Sequence, residues 1–393
     1  MKKKIRDYDL NNKAVIIRCD FNVPMKDGII TDDNRIKESL ATIKYAIDNN
    51  AKIILMSHLG KIKAEEDKKN NSLLPVSVRL EELLHRKIIF SPDTRSDNLV
   101  KMVKNLKPQD ILLIENTRYE DLNDNLESSC DLELSKYWAS LGDIFINDAY
   151  GTCHRAHASN VGIAKILPNG IGFLVEKEIS KIEEIINEDT HPFVVIMGGK
   201  KISDKTLIIE NLVKKCDKLL IGGGMCFTFL KALGYNVGKS VVDDNNLEFC
   251  KNILEKYSDK IILAKDFITT TEINNNSICV NKKIEEFTNE DIGVDIGFES
   301  RSLFISNLIA KRVVFNGPMG IFEIDKFLEG TKEIYEYLIK NNIKTLIGGG
   351  DTAASAIKLG FKEKFYHVST GGGATLEYLE GKVLPGISVI NNE

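Results

Sequence analysis

The sequence predicts an α/β protein made of two doubly wound parallel-sheet domains joined by a hinge helix, and three observations carry that prediction. Apolar runs of strand length alternate with helical stretches almost from end to end. The runs are continuous rather than alternating, as in strands covered by helices on both faces. The chain has 393 residues, roughly two to three ordinary domains.

In the first half the expected strands are AVIIRCDF, AKIILMSH, KIIF, DILLIEN and DIFINDAY, with KESLATIKYAIDNN and SLLPVSVRLEELLH as helices between them. PFVVIMGG, KLLIGGG, KIILAKDF, KRVVFNGP and KTLIGGG are the strands of the second half, separated by helical segments such as SDKTLIIENLVKKC and EGTKEIYEYLIKNN. Residues 272–290 read as a polar hairpin or excursion. The amphipathic stretch FLVEKEISKIEEIIN, followed by His191-Pro192, marks the join. This reading gives Rossmann-like domains over 1–172 and 190–375, with residues 173–189 as the connecting helix. In such sheets ligands bind outside the carboxyl ends of the strands.

Composition narrows the functions. Hydrophobic residues make up 43% and charged residues 28%, ordinary for a globular protein, and no uncharged stretch approaches the ~18 residues of a membrane span. MKKKIRDYDL lacks the apolar segment of a secretory signal, so a cytoplasmic location is expected. Seven scattered cysteines without a C-x-x-C pair fit reduced thiols rather than disulfides or a zinc site. A net charge of −4 argues against nucleic acid as a partner.

Three runs end in triple glycine, at Gly222–Gly224, Gly348–Gly350 and Gly371–Gly373. A strand that stops in glycine and turns into a helix leaves backbone N–H groups aimed at whatever lies over its end, and phosphate oxygens suit them. Asp351-Thr352, a carboxylate and a hydroxyl directly after the second run, suits a magnesium nucleotide. Arginine, by contrast, belongs to the first half, with only Arg301 and Arg312 after Arg155. Two anionic ligands on two domains follow from that asymmetry.

Polar residues cluster where the first-half strands end. Arg18, Asp20 and Asn22 alternate in RCDFN and are expected to project to one side. Ser57-His58-Leu59-Gly60-Lys61 follows the second strand, Arg118 the fourth, and His154-Arg155-Ala156-His157 the fifth. With Arg35, these residues form a basic pocket in an acidic protein, and its ligand is a small, multiply charged anion. In the second half GGKKISDK sets Lys201 and Lys205 at i and i+4 at an expected helix start, where cations are misplaced unless an anion compensates. FNGPMGIFE adds Asn316, a tight turn, and Glu323 as a candidate for ribose hydroxyls.

Taken together, RCDFNVP, DDNRIKESLATI, SHLG, LLIENTRY, INDAYGTCHRAH, GFLVEKE, GGKKISDK, IGGGMCFTFL, FNGPMGIFE, IGGGDTAAS and VSTGGGATLEYLEGKVLPG resemble the phosphoglycerate kinase family over residues 14–388. The resemblance implies reversible phosphoryl transfer between ATP and the carboxylate of 3-phosphoglycerate by a monomer, without nucleic acid or membrane partners. It implies substrate contacts from Asp20, Phe21, Asn22, Arg35, His58, Leu59, Gly60, Lys61, Arg118 and Arg155. ATP or ADP would be bound through Lys205, Gly293, Asn316, Glu323, Gly349, Gly350, Asp351 and Thr352, with Asp351 on Mg2+. Arg35, Lys201 and the Gly371 and Gly372 N–H groups would stabilise the phosphoryl group in flight, hinge closure would bring the substrates into line, and the tail 376–393 would pack on the first domain. The chain departs from the family pattern at Lys61, Lys200, Ala264-Lys265, Phe298 and Phe315. A kinase of another phosphorylated or phosphonylated acid, or a silent nucleotide-binding relative, shares most of these motifs, but the presence of Arg35, Lys201 and Asp351 favours the active kinase.

Overall fold

The computed structural model describes residues 2–392. The chain folds into two compact units, 1–179 with 383–393, and 180–382. The first is built on a six-stranded parallel sheet of β1 (Ala14–Arg18), β2 (Lys52–Met56), β3 (Ile88–Ser91), β4 (Ile111–Ile114), β5 (Ile144–Asn147) and β6 (Asn169–Ile171), in spatial order β3-β4-β2-β1-β5-β6. Ile16 of β1 sits between Ile54 and Phe145 in register. Val15, Ile17, Ile53, Leu55, Leu113 and Ile146 are buried in one core with Ile36 and Ile43 of the helix Asn34–Asp48. Continuous apolar strands form here because helices cover the sheet and no strand face is left to water.

The last residues belong to this unit. Asn147 Nδ2 donates to the Gly386 carbonyl at 2.9 Å, the Gly386 N–H to Cys153 at 2.9 Å, and the Lys3 N–H to Asn391 at 2.9 Å. The helix Phe173–Asn187 starts here and ends in the second unit. Asp148, just past β5, accepts from the Leu174 N–H at 2.8 Å and so caps the first turn of that helix. Burial pushes this carboxyl up to about 7 against its hydrogen bonds, and its Oδ2 has no partner. Because the folded state holds the proton more tightly than the unfolded chain, the stability present below pH 4 is lost as pH rises towards 7. Asp148→Asn is therefore expected to gain on the native protein by up to ~1.4 kcal/mol per pH unit across that window, read by urea unfolding at pH 4.5 and 7.5.

The second unit has its own six-stranded parallel sheet, from β7 (Phe193–Met197), β8 (Lys218–Ile221), β9 (Ile261–Leu263), β13 (Arg312–Asn316), β14 (Lys344–Gly348) and β15 (His367–Val368), in spatial order β9-β8-β7-β13-β14-β15. Between β9 and β13 the chain makes a separate antiparallel sheet of β10 (Asp266–Thr270), β11 (Val280–Lys283) and β12 (Ile292–Ile296), with β10 central. KIILAKDF, one strand in the sequence reading, is thus two: Ile261–Leu263 joins the parallel sheet, and from Asp266 the chain enters the other. Strands β6 and β12 were not expected, since both carry glycine, β6 has only three residues and β12 includes Asp295. Each triple glycine does join a strand to a helix, at Cys226–Ala232, Gly350–Lys358 and Gly373–Leu379.

Candidate active site

The first-unit site is assembled at the carboxyl ends of β1, β2, β4 and β5. Asp20 is buried and paired with half-buried Arg35, which fixes one face of the guanidinium. Asn22 reaches across to the β2 turn, its Oδ1 accepting from the Gly60 N–H at 2.8 Å. The Gly60 carbonyl in turn accepts from Arg118 Nη1 at 3.1 Å. Arg118 is only 7% exposed, and its Nε is buried without a partner. Leaving a charged donor unmatched in a folded protein is costly, so Arg118 is poised for an anion. Burial and the neighbouring Arg155 both press on its charged form. Lys61 and Arg155 are exposed at the rim.

His58 and His157 are both buried. Burial, reinforced by Arg18 and Arg118, holds His58 well below the ordinary imidazole range and His157 down at about 3. Both are therefore neutral near pH 7, and the positive charge of the pocket comes from its arginines and Lys61.

Several expected residues sit differently. Arg18 does not project with Asp20 and Asn22: it is fully buried, donating to Ser159 Oγ at 2.8 Å, to the Cys19 carbonyl and to His58 Nδ1 at 3.2 Å. Strand alternation sets its side, but a long side chain can turn under the sheet end to reach buried acceptors. The side chains of Phe21 and Leu59 pack in the core, and their N–H groups are taken by Ser57 Oγ at 2.8 Å and Asn116 Oδ1 at 3.1 Å. They shape the pocket from behind. Glu127 and Ser159, buried beneath it, escaped the sequence reading. Glu127 lies in an ordinary polar stretch and only the fold turns it inward, whereas Ser159 comes two residues after His157 of the HRAH run and proximity could have flagged it.

The second-unit site is a cleft of about 300 Å3. Its apolar end is walled by Phe227, Val241, Phe267, Ile292, Val294 and Phe322, with the Phe227 and Phe267 rings 4.5 Å apart. Gly293 lines this end and donates its N–H to Ser240 Oγ at 2.9 Å; a Cβ there would lie 2.0 Å from Phe227 Cζ, so glycine is what admits the ring. Towards the other end come Gly199, Lys200, Gly223, Gly224, Glu323 and Asp351. An aromatic slot grading into glycines, a lysine and carboxylates matches a purine nucleotide with its phosphates at the glycine end. Asp295, which the sequence reading missed, lies at the base, bonded by the Gly330 N–H at 2.7 Å and pushed up to about 7 by burial.

GGKKISDK forms no helix start with its lysines on one face. Residues 202–205 are a turn, with the Lys205 N–H bonded to the Ile202 carbonyl at 2.8 Å, and the helix begins only at Thr206. Ser203-Asp204 favours that turn over an earlier helix. Lys205 is anchored by the Asn316 side-chain oxygen, and burial pushes it down to about 8 despite Asp351. Asn316 is itself buried, its amide donating to the Gly348 carbonyl at 2.8 Å, so it holds Lys205 and the strand end rather than facing the cleft. The Thr352 hydroxyl is likewise withdrawn, accepting from the Gly317 N–H at 2.7 Å. Of the second glycine turn, among the described residues, only Asp351 lines the cleft. Gly349 and Gly350 stand at the start of the helix Gly350–Lys358. At the third turn the Gly371 N–H is bonded to Ser369 Oγ at 3.2 Å, and Gly372 follows with φ of +51°.

Of the departures from the family pattern, Lys200 lines the cleft; Phe298 is exposed at a helix start and Phe315 packs on Tyr335 in the core, ring centroids 5.0 Å apart. No group of three or more His, Cys, Asp or Glu suited to a metal occurs among the described residues. The exposed Asp351 carboxylate, beside a nucleotide-sized cleft, fits Mg2+ that arrives on the nucleotide and keeps phosphate and water ligands.

An α/β unit with a basic anion pocket and another with a nucleotide-sized cleft are the two halves of a small-molecule kinase. The phosphoglycerate kinase family profile matches residues 5–382. A phosphoglycerate kinase of Fusobacterium nucleatum is 53% identical over 398 residues, and one of Enterococcus faecalis 51% over 395, each comparison covering 100% of both chains. The solved phosphoglycerate kinase structure from Coxiella burnetii superposes with a TM-score of 0.89 at 35% identity, covering 99% of this chain and 98% of that one. The one from Pyrococcus horikoshii gives 0.85 at 30%, covering 98% of each. The chain belongs to the phosphoglycerate kinase family.

Proposed function

We propose that this chain catalyses 1,3-bisphosphoglycerate + ADP = 3-phosphoglycerate + ATP, with the acid held on the first unit and the nucleotide on the second. The observation that carries this reading is the placing of His58, Lys61, Arg118 and Arg155 after the ends of neighbouring strands, with Arg35 of the helix Asn34–Asp48 paired to Asp20 just past β1, in a chain of net charge −4. Asp20 and Asn22 suit the glycerate oxygens, while His58, Arg118 and Arg155 suit the phosphate. In the direction that consumes ATP, a carboxylate oxygen attacks the γ-phosphorus as the bond to the bridging oxygen breaks and ADP leaves. The nucleophile is already an anion, so positioning and charge stabilisation replace a general base. Arg35 and Lys201 neutralise the oxygens in flight, with the Gly372 turn assisting, and Lys205 holds nucleotide phosphate. Asp351 would hold the Mg2+ that arrives with the nucleotide, and the ion would supply charge neutralisation for the leaving diphosphate. Domain closure about the segments 173–192 and 370–376 brings the two substrates into line. The same reading carries a monomer in the cytoplasm, a compartment that the seven free thiols support.

ATP-dependent phosphorylation of 3-phosphoglycerate, coupled to NADH loss through glyceraldehyde-3-phosphate dehydrogenase, tests the reaction. Magnesium-dependent turnover with 3-phosphoglycerate and none with unphosphorylated glycerate is expected; turnover only with a different acid overturns the substrate assignment.

Lys205 adds a pH signature. Its charged form binds phosphate and prevails below about 8, so kcat/KM for ATP is expected to fall by up to tenfold per unit above that pH. Lys205→Arg should remove this limb between pH 7.5 and 9.5. A limb that persists in the variant belongs to another group.

A further inference from the structure

The acid pocket stands on a buried chain of hydrogen bonds whose directions are forced. An arginine has donors and no acceptor. Arg18 Nε lies 2.8 Å from Ser159 Oγ, so that oxygen accepts and its single proton must go elsewhere. Its other close partner is Glu127 Oε1. Glu127 Oε2 accepts from the Ser159 N–H at 2.9 Å, and Oε1 from Thr117 Oγ1 at 3.2 Å. Donors thus converge on both Glu127 oxygens, the pattern of a carboxylate opposite the Arg18 charge, even though burial outweighs these partners and raises its affinity for a proton. At the other end Arg18 Nη2 lies 3.2 Å from His58 Nδ1, which must therefore accept. A neutral imidazole that accepts at Nδ1 carries its proton on Nε2.

We propose that Glu127 and Ser159 are positioning residues for the acid pocket, which through Arg18 fix His58 as its Nε2–H tautomer, a neutral donor to the substrate's phosphate. The inference rests on the proposed reading of this pocket as the 3-phosphoglycerate site. It explains how two buried histidines coexist with Arg18 and Arg118: the positive charges are balanced from below by Glu127, and His58 contributes a directed hydrogen bond without adding charge. It also separates Arg18 from Arg118. Arg18 is spent on protein acceptors, whereas Arg118 keeps an unmatched Nε for the ligand.

Side-chain 15N NMR of the histidine-labelled native protein, with His58 assigned by its loss in His58→Gln, tests the tautomer directly. The Nε2–H form alone is expected, and the Nδ1–H form or an imidazolium at pH 7 overturns the proposal whether or not any variant folds. Glu127→Gln keeps the shape and removes the charge, and Ser159→Ala breaks the relay. In each folded variant we expect KM for 3-phosphoglycerate to rise at least fivefold, with kcat and KM for ATP within about twofold of native and mixed His58 tautomers in the spectrum. Folded variants with native KM and a single native tautomer overturn the positioning role. Arg118→Ala is measured alongside: an unchanged KM for the acid there refutes the pocket assignment itself, a failure distinct from that of the relay.

Discussion

Arg35→Ala and Lys201→Ala are each expected to lower kcat by roughly 10²–10³-fold while moving KM for ATP only a few-fold, the pattern for a donor whose contact is made chiefly in the transition state. The transferred phosphoryl group spreads charge over three oxygens, and the reaction supplies no proton to be moved, so removing a preorganised cation removes much of what the protein contributes. Arg35 is preorganised by its pairing with buried Asp20. Asp20→Asn should accordingly lower kcat in the same direction but less, since Arg35 remains and only its orientation loosens. Lys201 is exposed after β7 and, unlike its neighbour Lys200, does not itself line the nucleotide cleft, so its loss should leave nucleotide binding largely intact. Arg35→Lys keeps charge and loses the fork, which separates geometry from charge. Steady-state kinetics of the four variants decide the matter: variants that keep kcat within threefold while KM climbs would make these residues ligand-holding groups instead.

The second large effect is structural and begins at Gly317→Ala. Gly317 has φ of +91°, and a Cβ there would lie 2.2 Å from the Gly198 carbonyl oxygen and 2.7 Å from the Gly199 nitrogen, both backbone atoms that cannot swing aside. The unfavourable φ alone costs ~1–3 kcal/mol. Relief of the contact must separate the ends of β7 and β13, where Gly199 donates to the Pro318 carbonyl at 2.8 Å and both residues line the cleft. The shift also disturbs Asn316, the anchor of Lys205, and the bond from the Gly317 N–H to Thr352. We expect a loss of about 3 kcal/mol or more in urea unfolding and a rise of at least tenfold in KM for ATP, with KM for 3-phosphoglycerate close to native. A cost below 1 kcal/mol would mean that the two strand ends yield easily and do not hold the cleft in shape.

The parts of the fold that were legible were those set by local pattern. PFVVIMGG and AVIIRCDF read as doubly covered strands because their runs Phe193–Met197 and Ala14–Ile17 are apolar without a break, and these are buried throughout or nearly so. The glycine turns read as strand-to-helix junctions because glycine permits both the turn and a close approach. Illegible were features that depend on a distant partner. KIILAKDF has one apolar pattern yet serves two sheets, because its second part is claimed by Val280–Lys283 and Ile292–Ile296. Lys201 and Lys205 have helical spacing, but the turn closed at Ile202 and Lys205 overrides it.

The amino-acid sequence by itself determined the fold class, the acidic chain with its basic first half, the residue types offered at the strand ends and the family. Only tertiary structure decided which of those residues are presented and which are spent. Arg18, Asn316 and the Thr352 hydroxyl look from their positions like ligand-binding groups, and each is consumed by a buried protein partner. Glu127 looks like solvated surface and lies under the acid pocket. The physical reason is that burial and hydrogen-bond satisfaction are properties of pairs brought together across long stretches of chain, 141 positions between Arg18 and Ser159 and 111 between Lys205 and Asn316, and no local pattern encodes such a meeting.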